Sequence, residues 1–165
     1  YAIVKNIGEA FFKSYQKEFG LDYTIFRFFN TYGPKQGKDF VISKFINLAL
    51  KNEAITVYGD GSQTRTFCYI ENNINASLAA AFCDLGKNET INIGNNIETS
   101  ILDLAKTIIR LTNSKSEIKH LPALIEGDMT RRNPDITIMN SLVDQKIYSL
   151  EEGLKKILNN TAFIF

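Results

Sequence analysis

The sequence predicts an α/β fold, on three observations. Short β-branched and aromatic runs, such as residues 22–29 (DYTIFRFF) and 90–93 (TINI), alternate with segments of helical periodicity. Turn chemistry punctuates them, at Gly20, at residues 30–34 (NTYGP) and at Gly59-Asp60-Gly61. No repeat, low-complexity tract or linker-like run divides the 165 residues.

Residues 2–19 read as a helix, because Ile3, Ile7, Ala10, Phe11 and Tyr15 recur at three- and four-residue spacing and Gly20 stops the run. Residues 22–29 read as a buried strand. Arg27, a lone charge inside it, is either paired or turned to solvent. Residues 30–34 read as a turn. Residues 39–51 form a helix with Val41, Phe45, Leu48 and Leu50 on its apolar side. A short strand over 55–58, a glycine turn, one further strand over 64–69, a helix over 73–85 and a strand over 90–93 follow. Ser100, with Asp103 three residues on, caps a helix whose face is Leu102, Ala105, Ile108, Ile109 and Leu111. Residues 117–121 read as a strand, 128–134 as an arginine-bearing loop and 135–142 as a short helix. Ser149 and Glu152 form a capping box that opens the last helix, which runs to about Leu158. The tail 159–165 has no period and is expected to fray.

At 44% hydrophobic and 22% charged, with a net charge of +1, the composition is that of an ordinary globular domain. No whole-chain field draws it to nucleic acid or membrane, and no apolar run approaches the ~20 residues of a span. Cys68 and Cys83 lack metal-type spacing and read as free thiols of a reducing compartment, the cytoplasm. The single histidine, His120, excludes a multi-histidine metal site and reads as structural.

Tyr1 and Lys5 carry the most chemistry. Four apart at the head of a helix, they share one face with Cβ atoms roughly 5–6 Å apart. A nearby ammonium favours the ionised phenol, and such a tyrosine can exchange protons with a sugar or alcohol hydroxyl. The spacing is also common by chance. The chain opens on this tyrosine without an initiator methionine, so it reads as part of a longer enzyme. No Gly-x-Gly-x-x-Gly turn occurs, so the phosphate cradle of a dinucleotide site is not in this sequence.

Candidate anion ligands are Arg65 and the pair Arg131-Arg132, whose guanidinium forks suit diphosphate oxygens or, alternatively, surface ion pairs. Asn30 follows a strand, where open α/β sheets place ligands, or it serves only the turn. Tyr58 precedes a turn and either packs on a base or joins the core.

In combination these segments resemble the extended short-chain dehydrogenase/reductases, the NAD-dependent epimerases and dehydratases of nucleotide sugars. The likeness rests on Tyr1-x-x-x-Lys5, on residues 27–34 (RFFNTYGP) and on 57–65 (VYGDGSQTR). It also rests on 91–94 (INIG), on 100–105 (SILDLA) and on 149–154 (SLEEGL). It covers residues 1–158. The resemblance implies a Rossmann-type fold whose N-terminal NAD-binding half is absent. Residues 1–33 would be the tail end of the Rossmann-type domain, 34–158 mainly the nucleotide-sugar region with interleaved Rossmann elements, and 159–165 a tail. It further implies Tyr1 as the acid/base at the sugar 4-hydroxyl and Lys5 on the nicotinamide ribose. Asn30 would touch the diphosphate, and the stretch containing Val41, Ser43 and Phe45 would line the nucleotide site. Tyr58 would lie near the base, with Arg65 and Arg132 on the diphosphate or ribose. NAD, a nucleotide-diphosphate sugar and a homodimer through the Tyr/Lys helix are the implied cofactor, ligand and partner.

Residues 29–69 look most like UDP-glucuronate decarboxylases. Asp39-Phe40 stands where those enzymes carry Gly-Arg, and residues 143–146 replace their Gly-Trp-x-Pro. Epimerase and 4,6-dehydratase outcomes therefore stay open. So does a non-catalytic remnant that only binds nucleotide sugar, and the chain alone is expected not to turn over.

Overall fold

The structure, a computed structural model, describes residues 1–123, 131–144 and 146–160. Gln145, part of the expected loop 128–134 and most of the expected tail lie outside the described residues. The first helix, α1 (Ala2–Phe19), ends at Gly20, whose φ of 68° is the left-handed turn that glycine takes without penalty. Strand β1 (Thr24–Phe28) pairs in parallel with β6 (Glu89–Ile93). Between them run β2 (Thr31–Tyr32), α2 (Val41–Leu50), β3 (Ile55–Tyr58), β4 (Thr64–Thr66), β5 (Cys68–Tyr69) and α3 (Ile70–Phe82). After β6 come β7 (Glu98–Ser100), α4 (Ile101–Thr112), β8 (Ile118–Leu121), α5 (Thr137–Leu142) and α6 (Leu150–Leu158). β2 pairs with β5 and β3 with β8, both in parallel, while β4 and β7 are antiparallel.

Several expectations need correction. Residues 30–34 are not only a turn: Thr31 and Tyr32 pair with Cys68 and Tyr69. The single strand expected over 64–69 is two short strands in different pairs, because its backbone changes partner at Phe67. β7 was not foreseen. The third helix begins at Ile70 and ends at Phe82, ahead of a 3-10 turn at Asp84–Gly86. β1 is half-buried rather than buried, with Phe28 57% exposed. Its Arg27 is paired: Nε and Nη2 donate to Glu9 of α1 at 2.8 and 2.6 Å.

Two apolar cores hold the elements. The larger gathers Phe45, Ile46 and Ala49 of α2, Ile55 and Val57 of β3, Leu104 and Ile108 of α4, and Leu154 of α6 around Tyr32. The smaller joins Ala76 and Ala80 of α3 to Ile91 and Ile93 of β6 and Met139 of α5. α1 buries no residue at all. The Ser100 cap and the Ser149 capping box both form. Ser100 Oγ accepts from Asp103 N at 3.0 Å. Ser149 Oγ accepts from Glu152 N at 3.3 Å, while Ser149 N donates to the Glu152 carboxylate at 2.8 Å. His120 Nδ1 lies 2.8 Å from the Gly59 carbonyl, in keeping with a structural role. Both cysteines are free, and burial pushes the Cys68 thiol up to about 11.

α6 approaches β2 closely because Gly153 has no side chain; a Cβ there would lie 2.0 Å from the Tyr32 hydroxyl oxygen. Gly153→Ala is expected to cost about 1–3 kcal/mol through overpacking, and Ser149→Ala about 1 kcal/mol through the lost cap. Urea unfolding of the two variants reads both, and an unchanged midpoint for Gly153→Ala would contradict the close approach.

Candidate functional site

A cavity of about 540 Å³ opens where β1, β2 and α2 meet. Phe28, Phe40, Ile42, Phe67 and Ile70 make its apolar wall; Asn30, Thr31, Gln36, Asn73 and Arg132 bring polar groups to it. The polar groups are held in place. Asn30 has a φ of 38°, a left-handed conformation that asparagine tolerates better than most residues. Its Nδ2 donates to the Thr66 carbonyl at 2.9 Å. Asn73 Nδ2 donates to Thr31 Oγ1 at 2.7 Å, and Gln36 Nε2 to the Thr31 carbonyl at 2.8 Å. Fixed amides and a guanidinium around an apolar pocket are the equipment for a ligand with a ring to pack and anionic or hydroxyl oxygens to bond.

Of the residues singled out in the sequence, the fold brings Asn30, Val41 and Arg132 to this cavity. It places the others elsewhere. Phe45 is 2% exposed in the larger core. Ser43 is buried behind Gln36, to which its Oγ donates at 3.3 Å. Tyr58 ends β3, 38% exposed, with Gln63 Nε2 donating to its carbonyl. Arg65 lies on β4, opposite Thr99 of β7, and its Nη1 donates to the Thr64 carbonyl at 2.7 Å. Tyr1 is 95% exposed at the head of α1, and the Lys5 ammonium lies over its ring, 5.4 Å from the centroid.

The sequence reading missed Thr31, Gln36, Phe40 and Asn73 on the wall. It also missed Glu98 of β7. One oxygen of Glu98 accepts from Arg131 Nε and Nη2 at 2.9 and 2.6 Å and from Asn133 Nδ2 at 2.8 Å. The other oxygen accepts from Thr64 Oγ1 at 2.9 Å. An unpaired-looking arginine pair in a loop was the signal that could have prompted a search for such a carboxylate.

The residues present fit one end of a dinucleotide. A phenol and an ammonium on an open helix face suit ribose hydroxyls and a reacting centre. Gly61 and Gly33 are not open to a phosphate: a Cβ on Gly61 would meet Val57 and Leu102 at 2.7 and 3.0 Å, and one on Gly33 would meet Ile70 at 2.5 Å. Those positions are filled by packing.

Parallel strand pairs crossed by helices, with a polar-lined cavity at strand ends, are what a Rossmann-type α/β protein presents, and comparison with known proteins gives its class as the extended short-chain dehydrogenase/reductases. The chain belongs to the NAD dependent epimerase/dehydratase family, whose model matches residues 1–94; NAD is that family's cofactor. It is 38% identical over 167 residues to the UDP-N-acetyl-alpha-D-glucosaminuronate decarboxylase of Bacillus cytotoxicus, covering 96% of this chain and 51% of that protein. The crystal structure of Thermotoga maritima UDP-glucose 4-epimerase with UDP-glucose superposes with a TM-score of 0.88 at 31% identity, over 96% of this chain and 52% of that one. The UDP-glucuronic acid 4-epimerase of Bacillus cereus, in complex with UDP-glucuronic acid and NAD, superposes with a TM-score of 0.86 at 28% identity, over 99% and 52%. The chain thus spans about half the length of these relatives. No described helix is long and apolar enough to cross a membrane, and no metal-type cluster occurs among the described residues.

Arg131, Asn133 and Thr64 hold the Glu98 carboxyl down to about 2 from an ordinary 4.5. A carboxyl depressed on folding adds stability above its unfolded pKa, and that stability is lost as pH falls through the folded one. The melting temperature of the wild type minus that of Glu98→Gln is therefore expected to be constant above about pH 5 and to vanish towards about pH 2. A pH-independent difference would show that the carboxylate is not the anchor.

Proposed function

We propose that this chain forms the C-terminal, sugar-nucleotide-binding part of an NAD-dependent nucleotide-sugar epimerase, dehydratase or decarboxylase that works through oxidation at sugar C4. The observation that carries the reading is the convergence of Asn30 and Arg132 on one cavity, in a chain of this family whose exposed first helix presents Tyr1 and Lys5 together. The relatives' UDP-sugars motivate UDP as the nucleotide. Arg132 and Asn30 would hold the diphosphate by charge-assisted hydrogen bonds. Val41, beside Phe40 and Ile42, would pack on the nucleoside. Tyr58 and Arg65 would serve the base and ribose from beyond the cavity wall, and Ser43 and Phe45 would support the wall from behind. Tyr1 would take the proton of the sugar 4-hydroxyl and return it, while Lys5 keeps a cation beside it and meets the cofactor ribose. Bound NAD supplies the acceptor and later the donor of the C4 hydride.

The same reading divides the chain at residues 33 and 158; the mixing of β6 and α5 into the smaller core supports interleaved Rossmann elements. The exposed stripe of Ile3, Ile7, Phe11 and Tyr15 supports a second copy as partner, and the two free thiols support the cytoplasm as compartment. A dimer would sediment at twice the 18.7 kDa chain mass, and Ile7→Asp would return it to a monomer; a wild type that sediments as a monomer at every concentration rules the dimer out.

Titration calorimetry with UDP tests the binding claim. The wild type is expected to bind, and Arg132→Ala to bind about tenfold more weakly or worse. No heat from a folded wild type overturns the reading. With NAD and a UDP-sugar, the purified chain is expected to give no product by chromatography. A remnant that binds without catalysis is the second reading, favoured by a cavity built wholly within this chain. Joining an NAD-binding half from a relative separates the two, because turnover lost in Tyr1→Phe would establish the enzyme and a silent fusion the remnant.

A further inference from the structure

We propose that Glu98 is the positioning residue for the diphosphate end of the cavity, acting on Arg132 through the two residues that flank it; this deepens, and rests on, the nucleotide-sugar reading above. Arg131 and Asn133 both bond to the same Glu98 oxygen. Both also line a separate surface opening together with Asn96, which Arg132 does not. With 131 and 133 drawn to Glu98, Arg132 is turned to the other side, and that side is the cavity it lines. The second Glu98 oxygen is tied to Thr64 on β4. The Glu98 backbone pairs with Thr66 of the same strand, and the Thr66 carbonyl accepts the carboxamide of Asn30. One residue therefore sets both polar groups that the diphosphate would meet, Arg132 through its loop and Asn30 through the strand pair.

The arrangement is more than a surface ion pair. Exposed single bridges add little to stability, but here one carboxylate takes three donor groups from a loop and a strand. The Glu98 side chain is 23% exposed against 71% for Arg131. Its worth lies in orientation: a misplacement of about 1 Å in a positioned group can cost on the order of 100-fold where geometry decides.

The test compares UDP with uridine, which lacks the phosphates, on the wild-type chain and on Glu98→Ala and Arg131→Ala, by calorimetry. Both variants are expected to weaken UDP about tenfold and to leave uridine unchanged. The double variant Glu98→Ala/Arg132→Ala is expected to weaken UDP by less than the product of the two single losses, since Glu98 acts in part through the Arg132 side chain. A general loosening of the fold would weaken both ligands alike and overturns the proposal. UDP binding unchanged in the two single variants overturns it too, while leaving the nucleotide-sugar reading intact. Absence of UDP binding by the folded wild type overturns that reading and this proposal with it. Should Glu98→Ala fail to fold, Arg131→Ala, a change at an exposed side chain, decides the matter alone.

Discussion

The buried ring of Tyr32 is the contact on which the larger core and the cavity both depend. It stands edge-on to Phe67 and Tyr69, with centroids 6.3 and 5.6 Å away. Its hydroxyl donates to the Leu150 carbonyl at 3.3 Å, in the space left by the bare Cα of Gly153. Burial pushes its pKa upward, so the hydroxyl stays a neutral donor. A single side chain thus locks β2, β5 and α6 together while presenting one face to the cavity. α6 is secured again at its outer side, where the Lys156 ammonium bonds Glu71 at 2.8 Å and lies over the Tyr148 ring.

Elements with a strong local signal were legible in the sequence. The stripe over 2–19, the run Ile55–Tyr58, the cap at Ser100 and the capping box at Ser149 needed nothing from the rest of the chain. β2 and β7 were not legible, because strands of two and three residues exist only through remote partners, Thr31 with Cys68 and Thr66 with Glu98. The same physics explains the split at Phe67. No periodicity inside 64–69 announces that the backbone will change neighbours there.

The site was legible in its charged and turn-bound residues, Asn30 and Arg132, and less so in its wall. Val41 and Ile42 reach the cavity while Ser43 and Phe45 face inward. A run of five residues turns through more than one full helical revolution, so it cannot all line one surface. Asn73 and Gln36 were overlooked for the opposite reason. Amides at a helix start or after a glycine-proline turn read as solvent-facing, and only the tertiary bonds to Thr31 reveal them as wall.

The proposed binding groups and the proposed acid/base pair are held to different standards of order. Asn30 is tied to the Thr66 carbonyl of β4, and the two residues that flank Arg132 are tied to Glu98 of β7. Tyr1 and Lys5 sit on a helix that buries nothing and is tied to β1 by the Glu9–Arg27 pair. A parallel strand pair is ordinarily covered on both faces, yet Phe28 of β1 and the apolar stripe of α1 are open. Proton transfer demands placement within about 0.5 Å, which an uncovered helix does not provide. On the proposed reading, whatever covers α1 supplies the precision that Tyr1 and Lys5 would need. The candidate cavity, by contrast, is lined by residues outside α1.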